Sequence, residues 1–148
     1  MAEPSRRRRT LRAIGQAALG TALLGAGTGH LTTQRQEFQA QVPPWIPLDP
    51  DLVVVASGVV ELGLGSALLA TWKQPARGIV GATTAAFFMA IFPGNIAQFT
   101  GRVDAFRLDT DTKRAVRLLF QPVLVAWALG ATDATRLLGE AQHRRRRP

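Results

Sequence analysis

The 148-residue sequence contains no cysteine, which excludes disulfides, thiolate metal sites and thiol redox chemistry by this chain alone. It has no glycine-rich phosphate loop, no zinc-ligand spacing and no Ser/His/Asp set, so no enzyme class announces itself and no catalytic residue is assigned. It has two histidines. His143 sits in an arginine-rich tail, which leaves His30 as the one membrane histidine and puts bis-histidine haem ligation out of reach of a single chain. Acids are few, 10 against 18 basic residues, and lysine is scarcer still among the basic ones, a bias that fits a GC-rich bacterial genome. Charge is missing altogether from Gly78 to Gly101.

What is present is apolar sequence in long blocks. Hydrophobic residues make up 47% of the chain, although mean hydropathy is only +0.08 because charge is concentrated at a few places. Arginines 6–9 and 144–147 fill the two tails. Such segregation suits lipid crossing better than a soluble bundle, in which each helix must show a polar face to water. The net charge of +8 therefore reads as topology signal and anionic-lipid attraction, with no nucleic-acid partner expected.

Four spans are expected, at about 11–31, 52–72, 78–99 and 115–135. Each is near 21 residues, roughly 31 Å at helical rise, which matches the hydrocarbon core. The predicted fold is thus an all-α integral membrane four-helix bundle over residues 11–135, flanked by basic tails at 1–10 and 136–148. With both termini in the cytoplasm, twelve basic residues and three acids (Glu3, Asp133, Glu140) lie inside, against six basic residues outside. That asymmetry predicts a multi-pass protein of a bacterial cytoplasmic membrane with both tails inside and the loop of residues 100–113 outside. Arg8-Arg9 before Ala13–Ala26 resembles a signal peptide, but no small-x-small cleavage site followed by a soluble domain is present.

Lipid supplies little hydrophobic drive between helices, so small residues must allow close backbone approach. Candidate stripes are Ala18/Ala22/Ala26 and Ala17/Thr21/Gly25/Gly29 on the first span, and Ala82/Ala86/Ala90/Gly94 on the third. Three prolines in Val42-Pro43-Pro44-Trp45-Ile46-Pro47 forbid a regular helix, and Trp45 is expected at the outer membrane interface.

Counting depth along the spans brings His30, Ser57, Glu61, Asn95, Arg117 and Gln121 to one level, within roughly 2–14 Å of the outer boundary. Glu61 is the costliest of these, and Arg117, on a helix entering from the same side, is its expected partner. Two readings stay open: a buried set of hydrogen bonds that fixes helix packing, or a small polar pocket for a ligand or a proton. Asp104, Asp109 and Asp111 alternate with Arg102, Arg107 and Lys113 and read as a solvated loop rather than a cation site, so no metal is assigned.

Five motifs in order carry a resemblance: Gly27-Thr28-Gly29-His30, Pro44-Trp45-Ile46-Pro47, Ser57-Gly58-Val59-Val60-Glu61, Phe92-Pro93-Gly94-Asn95-Ile96 and Arg117-Leu118-Leu119-Phe120-Gln121. In them the chain resembles the DoxX family of small four-helix membrane proteins over about residues 11–135. That family takes its name from a subunit of an archaeal membrane quinone oxidoreductase complex, and relatives are associated with membrane redox or oxidative-stress assemblies. The resemblance implies a non-catalytic subunit or scaffold of a redox-associated membrane complex, with a membrane or peripheral redox protein, or a second copy, as its partner. The alternative is a binding or transport protein for a small molecule, quinone included, built on the outer polar cluster. An enzyme in its own right is the weakest reading, because no redox centre is encoded and a cofactor such as quinone would have to be borrowed.

Overall fold

The computed structural model describes residues 5–137 and 139, and every regular element among them is helical. In chain order these are α1 (Arg6–Leu31), α2 (Arg35–Gln39), α3 (Pro50–Ala70), α4 (Ala76–Thr100) and α5 (Asp111–Thr132). The four long helices alternate in direction. α1 packs on α3 and α4 on α5, and the two pairs join along α1–α5 and, more lightly, α3–α4. Short α2 and the loop of residues 101–110 close one end, the cap end. The start of α1 and the α3–α4 turn lie at the other, the N-terminal end.

Local chemistry sets the helix boundaries. α3 starts two residues before the expected span because Asp49 caps it, accepting hydrogen bonds from the backbone N–H of Asp51 (2.8 Å) and Leu52 (3.3 Å), with Pro50 in the first turn. α5 starts at Asp111 rather than 115, because the Thr110 hydroxyl accepts from the Lys113 N–H at 3.3 Å. α1 starts at Arg6, inside the stretch expected as a tail, and α2 interrupts the expected first outer loop. Residues 1–4, 138 and 140–148, His143 and Arg144–Arg147 among them, lie outside the described residues.

Three helices, α3, α4 and α5, are long and apolar enough to cross a membrane. The first expected span is not among them. α1 is long enough, at 26 residues, but Gln16, His30, Thr21, Thr28 and five glycines from Gly15 to Gly29 dilute its hydropathy. Large apolar side chains are nevertheless exposed on all four long helices, Leu11 and Ile14 on α1 included. Exposed apolar surface of that extent marks contact with a membrane or another protein.

The seams between helices do not use the expected stripes. Ala18, Ala22, Thr21, Gly25, Ala86 and Ala90 are exposed, and a side chain at Gly25 would meet nothing within 4 Å. The α1–α3 seam is instead a matched pair of glycine heptad positions. A Cβ at Gly20 would lie 3.0 Å from the Gly65 carbonyl, and one at Gly27 only 2.7 Å from the Gly58 carbonyl. In the reverse direction a Gly65 Cβ would lie 2.8 Å from the Gly20 carbonyl and a Gly58 Cβ 3.2 Å from the Gly27 carbonyl. Such backbone approach takes the place of the hydrophobic effect in lipid. On α4, Gly81 makes room for Thr132, whose hydroxyl a Cβ would overlap.

Below the middle of the bundle the interior is filled by Leu19, Leu23, Leu68, Ala85, Phe88 and Ala128. The N-terminal end is then locked by polar groups from all four helices. Fully buried Gln16 donates to the carbonyls of Leu68 (2.7 Å) and Thr71 (2.8 Å) and accepts from Arg77 (2.6 Å). Arg77 also donates to the Ala131 carbonyl (2.6 Å), Trp127 to the Gly15 carbonyl (2.9 Å), and Arg12 pairs with Asp133 (2.9 Å).

If the glycine seam holds the bundle, Gly27→Val and Gly58→Val should each destabilise the detergent-solubilised protein by about 1–3 kcal/mol, the usual cost of overpacking. Gly25→Ala and Gly63→Ala, which face open space, should be neutral or mildly stabilising because alanine favours the helix. Thermal unfolding of the four variants checks the contrast, and equal losses at all four sites would remove the seam from the account.

Candidate functional site

Toward the cap end the two helix pairs stand apart and enclose a cavity of about 630 Å³. All six polar residues brought to one level by the depth count, His30, Ser57, Glu61, Asn95, Arg117 and Gln121, line it. Trp45 lines it as well, from the proline-rich segment, which is irregular as expected. The rest of the wall is largely apolar, with Leu19, Leu23, Ile91, Leu124 and Trp127 among its residues. Ala22, Ala26, Ala90 and Gly94, expected at helix seams, line this cavity instead. It reaches the molecular surface at Ala22, Trp45, Ala90 and Phe120, all exposed.

The polar residues fall into two groups on opposite walls. On the α1–α3 wall, His30 Nδ1 lies 2.7 Å from Glu61 Oε2, and both side chains are almost fully buried. The two atoms are close without hydrogen-bond alignment, and neither has a hydrogen-bond partner among the described residues. Glycine makes the contact: Gly58, one turn from Glu61, leaves the space in which the His30 Cβ sits, 2.8 Å from where its own Cβ would be. Ser57 also lines the cavity, but its hydroxyl donates back to the Val54 carbonyl at 3.1 Å.

On the α4–α5 wall, Asn95 donates to Gln121 at 2.9 Å, and Gln121 donates in turn to the Phe88 carbonyl. Pro93 and Pro122 both interrupt their helices at this level, each removing one backbone donor. Side-chain bonds between neighbouring helices are the usual compensation for proline in a membrane span. Arg117 donates from Nε to Asn95 (3.3 Å) and from Nη2 to Gln41 (2.9 Å), and its guanidinium lies 5.0 Å from the centre of the Phe106 ring.

The expected Glu61–Arg117 pair is therefore not formed. Glu61 pairs with His30, and Arg117 meets neutral oxygens and an aromatic face. The reason is the order of helices around the bundle. α3 and α5 are diagonal and share no packing contact, whereas the α1–α3 seam sets residue 30 beside residues 58 and 61. An arginine inside a span is costly, though less near the boundary, where the depth count puts Arg117, than at the bilayer centre. Hydrogen bonds and the ring contact offset part of that without neutralising the charge.

The cap was not legible as part of the site. Phe38 of α2 packs edge-on against the His30 ring and against Phe106, at 4.5 Å between the two phenylalanine ring centres. One aromatic row thus touches both polar walls. α2 is tied to α3 by Arg35 and Gln39, which both donate to Asp51, and the bond to the Asp51 carboxylate raises the Arg35 guanidinium above its ordinary pKa. Glu37 accepts from the Phe106 N–H at 2.7 Å, which joins α2 to the 101–110 loop. That loop turns through three non-glycine residues of positive φ, Arg102, Phe106 and Arg107, and is braced by buried Arg114, which donates to Asp104, Asp111 and the Val103 carbonyl. Asp109 is engaged by Lys113 (2.5 Å), which holds its carboxyl below the usual range. Asp104, Asp109 and Asp111 are thus occupied by basic side chains, and no group of three candidate metal ligands occurs among the described residues. Gln41, a buried loop residue with no distinguishing sequence context, completes the polar lining.

A double-mutant cycle tests the pairing. His30→Leu and Glu61→Gln should couple by about 1–2 kcal/mol in the stability of the solubilised protein, at the upper end of intramembrane hydrogen bonds. Glu61→Gln and Arg117→Leu should add to within about 0.5 kcal/mol. The reverse pattern, additive for His30 and coupled for Arg117, would restore the diagonal pair.

No curated protein and no solved structure matches the chain. The family model described as a domain of unknown function, DUF8561, matches residues 19–132, which takes in α1 from Leu19 onward, the other three long helices, the cap and the whole cavity lining. By that match the chain belongs to the DUF8561 family.

Proposed function

We propose that this protein is a four-span membrane protein that binds a small amphipathic ligand in the cavity between its two helix pairs. The observation that carries the reading is the cavity itself: about 630 Å³, mainly apolar, with a few convergent polar groups at one end. That combination of size and lining is typical of ligand sites. A set of hydrogen bonds serving only to fix helix packing would close the space between its members, and these two groups face each other across it. The fourth span is α1. It lies antiparallel to α3 from Gln16 beside Leu68 to His30 beside Glu61, so a bilayer crossed by α3 is crossed by α1 as well. Basic residues favour the N-terminal end on the cytoplasmic side of a bacterial inner membrane.

The resemblance to DoxX proteins supports a role beside a redox partner, and binding extends that role rather than replacing it. A subunit without a redox centre of its own serves such a complex by holding a lipid-soluble molecule, quinone among the candidates, for the partner. No catalytic step is assigned to the chain.

Two experiments test the reading. Organic extracts of the purified protein, analysed by mass spectrometry, should contain a retained amphiphile that is lost from Ala26→Phe and Ala90→Phe, which fill the cavity, while both variants keep the wild-type thermal midpoint. An identical extract from both variants and wild type would end the binding proposal. For orientation, single cysteines replacing Lys73 and Arg102 in this cysteine-free chain should react differently with an impermeant maleimide in intact cells. Labelling is expected at position 102 and not at 73, and the opposite result inverts the topology.

A further inference from the structure

The donors at the cap end of the cavity are not balanced by acceptors. Arg117 Nε and Nη2 are taken by the side-chain oxygens of Asn95 and Gln41, while Nη1 has no hydrogen-bond partner among the described residues. Among the described residues no carboxylate lies within ion-pair range of this guanidinium, whereas Arg12, Arg35, Arg102, Lys113 and Arg114 each have one. Gln41 is nine-tenths buried, and once its oxygen has accepted from Arg117 its amide Nε2 is left buried with no acceptor. Two adjacent donors, one of them charged, thus line an apolar cavity. The one carboxylate in the lining, Glu61, is engaged by His30 on the opposite wall.

Resting on the binding reading above, we infer that the cavity takes an amphiphile with an anionic head, a carboxylate or a phosphate ester, held by Arg117 and Gln41, with an apolar tail running toward Trp127. A carboxylate or phosphate oxygen accepts from both donors and neutralises the guanidinium, which the protein itself leaves uncompensated. A neutral carbonyl such as that of a quinone accepts a hydrogen bond but supplies no counter-charge. Asn95 and Gln121 are positioning residues: their amides are joined to each other, and the chain of bonds to the Phe88 carbonyl fixes the guanidinium from behind. The tail has about 15 Å of wall along α5, the ten residues from Arg117 to Trp127 at helical rise. Access is from the bilayer, because the Phe38–Phe106 contact covers the polar end while exposed Ala90 and Phe120 open the side.

Trp127 lines the deep part of the cavity and serves as the reporter. In the full-length protein carrying Trp45→Phe and Trp72→Phe, solubilised in a non-ionic detergent, Trp127 is the single tryptophan. Its quenching is titrated with dibromostearic acid, the methyl ester of that acid, a dibrominated alkyl phosphate and a short-chain quinone, with unbrominated stearate as competitor. Saturable, competable quenching by an acidic probe at an affinity about tenfold or more above the ester is expected, and whichever of carboxylate and phosphate binds tighter identifies the head. Arg117→Gln should bring the acid down to the affinity of the ester, Arg117→Lys should keep part of the preference, and Gln41→Leu should weaken the acid alone. Equal affinities of acid and ester for the unsubstituted site, a comparison independent of any Arg117 variant, would overturn the anionic head and leave the amphiphile reading standing. Absence of saturable quenching by every probe, the quinone included, would overturn both.

Discussion

The structure depends on how closely α1 and α3 approach. In a bilayer, apolar side chains gain nothing by leaving lipid for one another, so two helices join only where their backbones come within van der Waals range over several turns. Gly20, Gly27, Gly58 and Gly65 provide that range at two levels one heptad apart. Everything on the α1–α3 wall follows from this register. It brings His30 beside Glu61, it sets Gln16 under the end of α3, and it turns Ala22 and Ala26 away from the seam toward the cavity.

The two ends of the bundle solve opposite problems. At the N-terminal end, four helices converge on Gln16 and Arg77, which bond to each other and to the carbonyls of Leu68, Thr71 and Ala131. Toward the cap end the pairs are held apart, and the polar groups bond within each wall rather than across the space, with Gln41 Nε2 left without an acceptor. Pro93 and Pro122 belong to this second arrangement. Pro93 lines the cavity and Pro122 is exposed beside Gln121, while Asn95 and Gln121 bond to each other and on to the Phe88 carbonyl at the same level.

Much of this was legible in the sequence, for definite reasons. Hydropathy located α3, α4 and α5, because a long apolar run with few charges has few other uses. The polar level was legible because an ionisable residue in such a run must face inward, and helical rise alone then gives its depth. What did not follow was which groups pair. Depth assigns a level but no azimuth, so Arg117 was as close to Glu61 on paper as His30 was. Only the order of helices around the bundle separates them. The small-residue stripes failed for a related reason: alanine is compatible with a seam, with lipid and with a cavity wall, and only glycine positions in register on both helices mark true backbone contact. Gln41 and Phe106 were invisible because a loop residue has no periodicity to betray its burial.

The asymmetry of the bundle also has a mechanical meaning. With one end locked by buried hydrogen bonds and the other divided by a cavity, the four helices form a two-tined fork whose shank is stiff and whose tines are compliant. A lateral load on the shank is resisted by packed side chains, which scarcely compress. The same load at the level of Trp45 and Phe120 acts on tines with space between them. The elastic response of this protein is therefore concentrated in the half that holds the cavity, and the volume of the cavity is the coordinate along which the molecule yields.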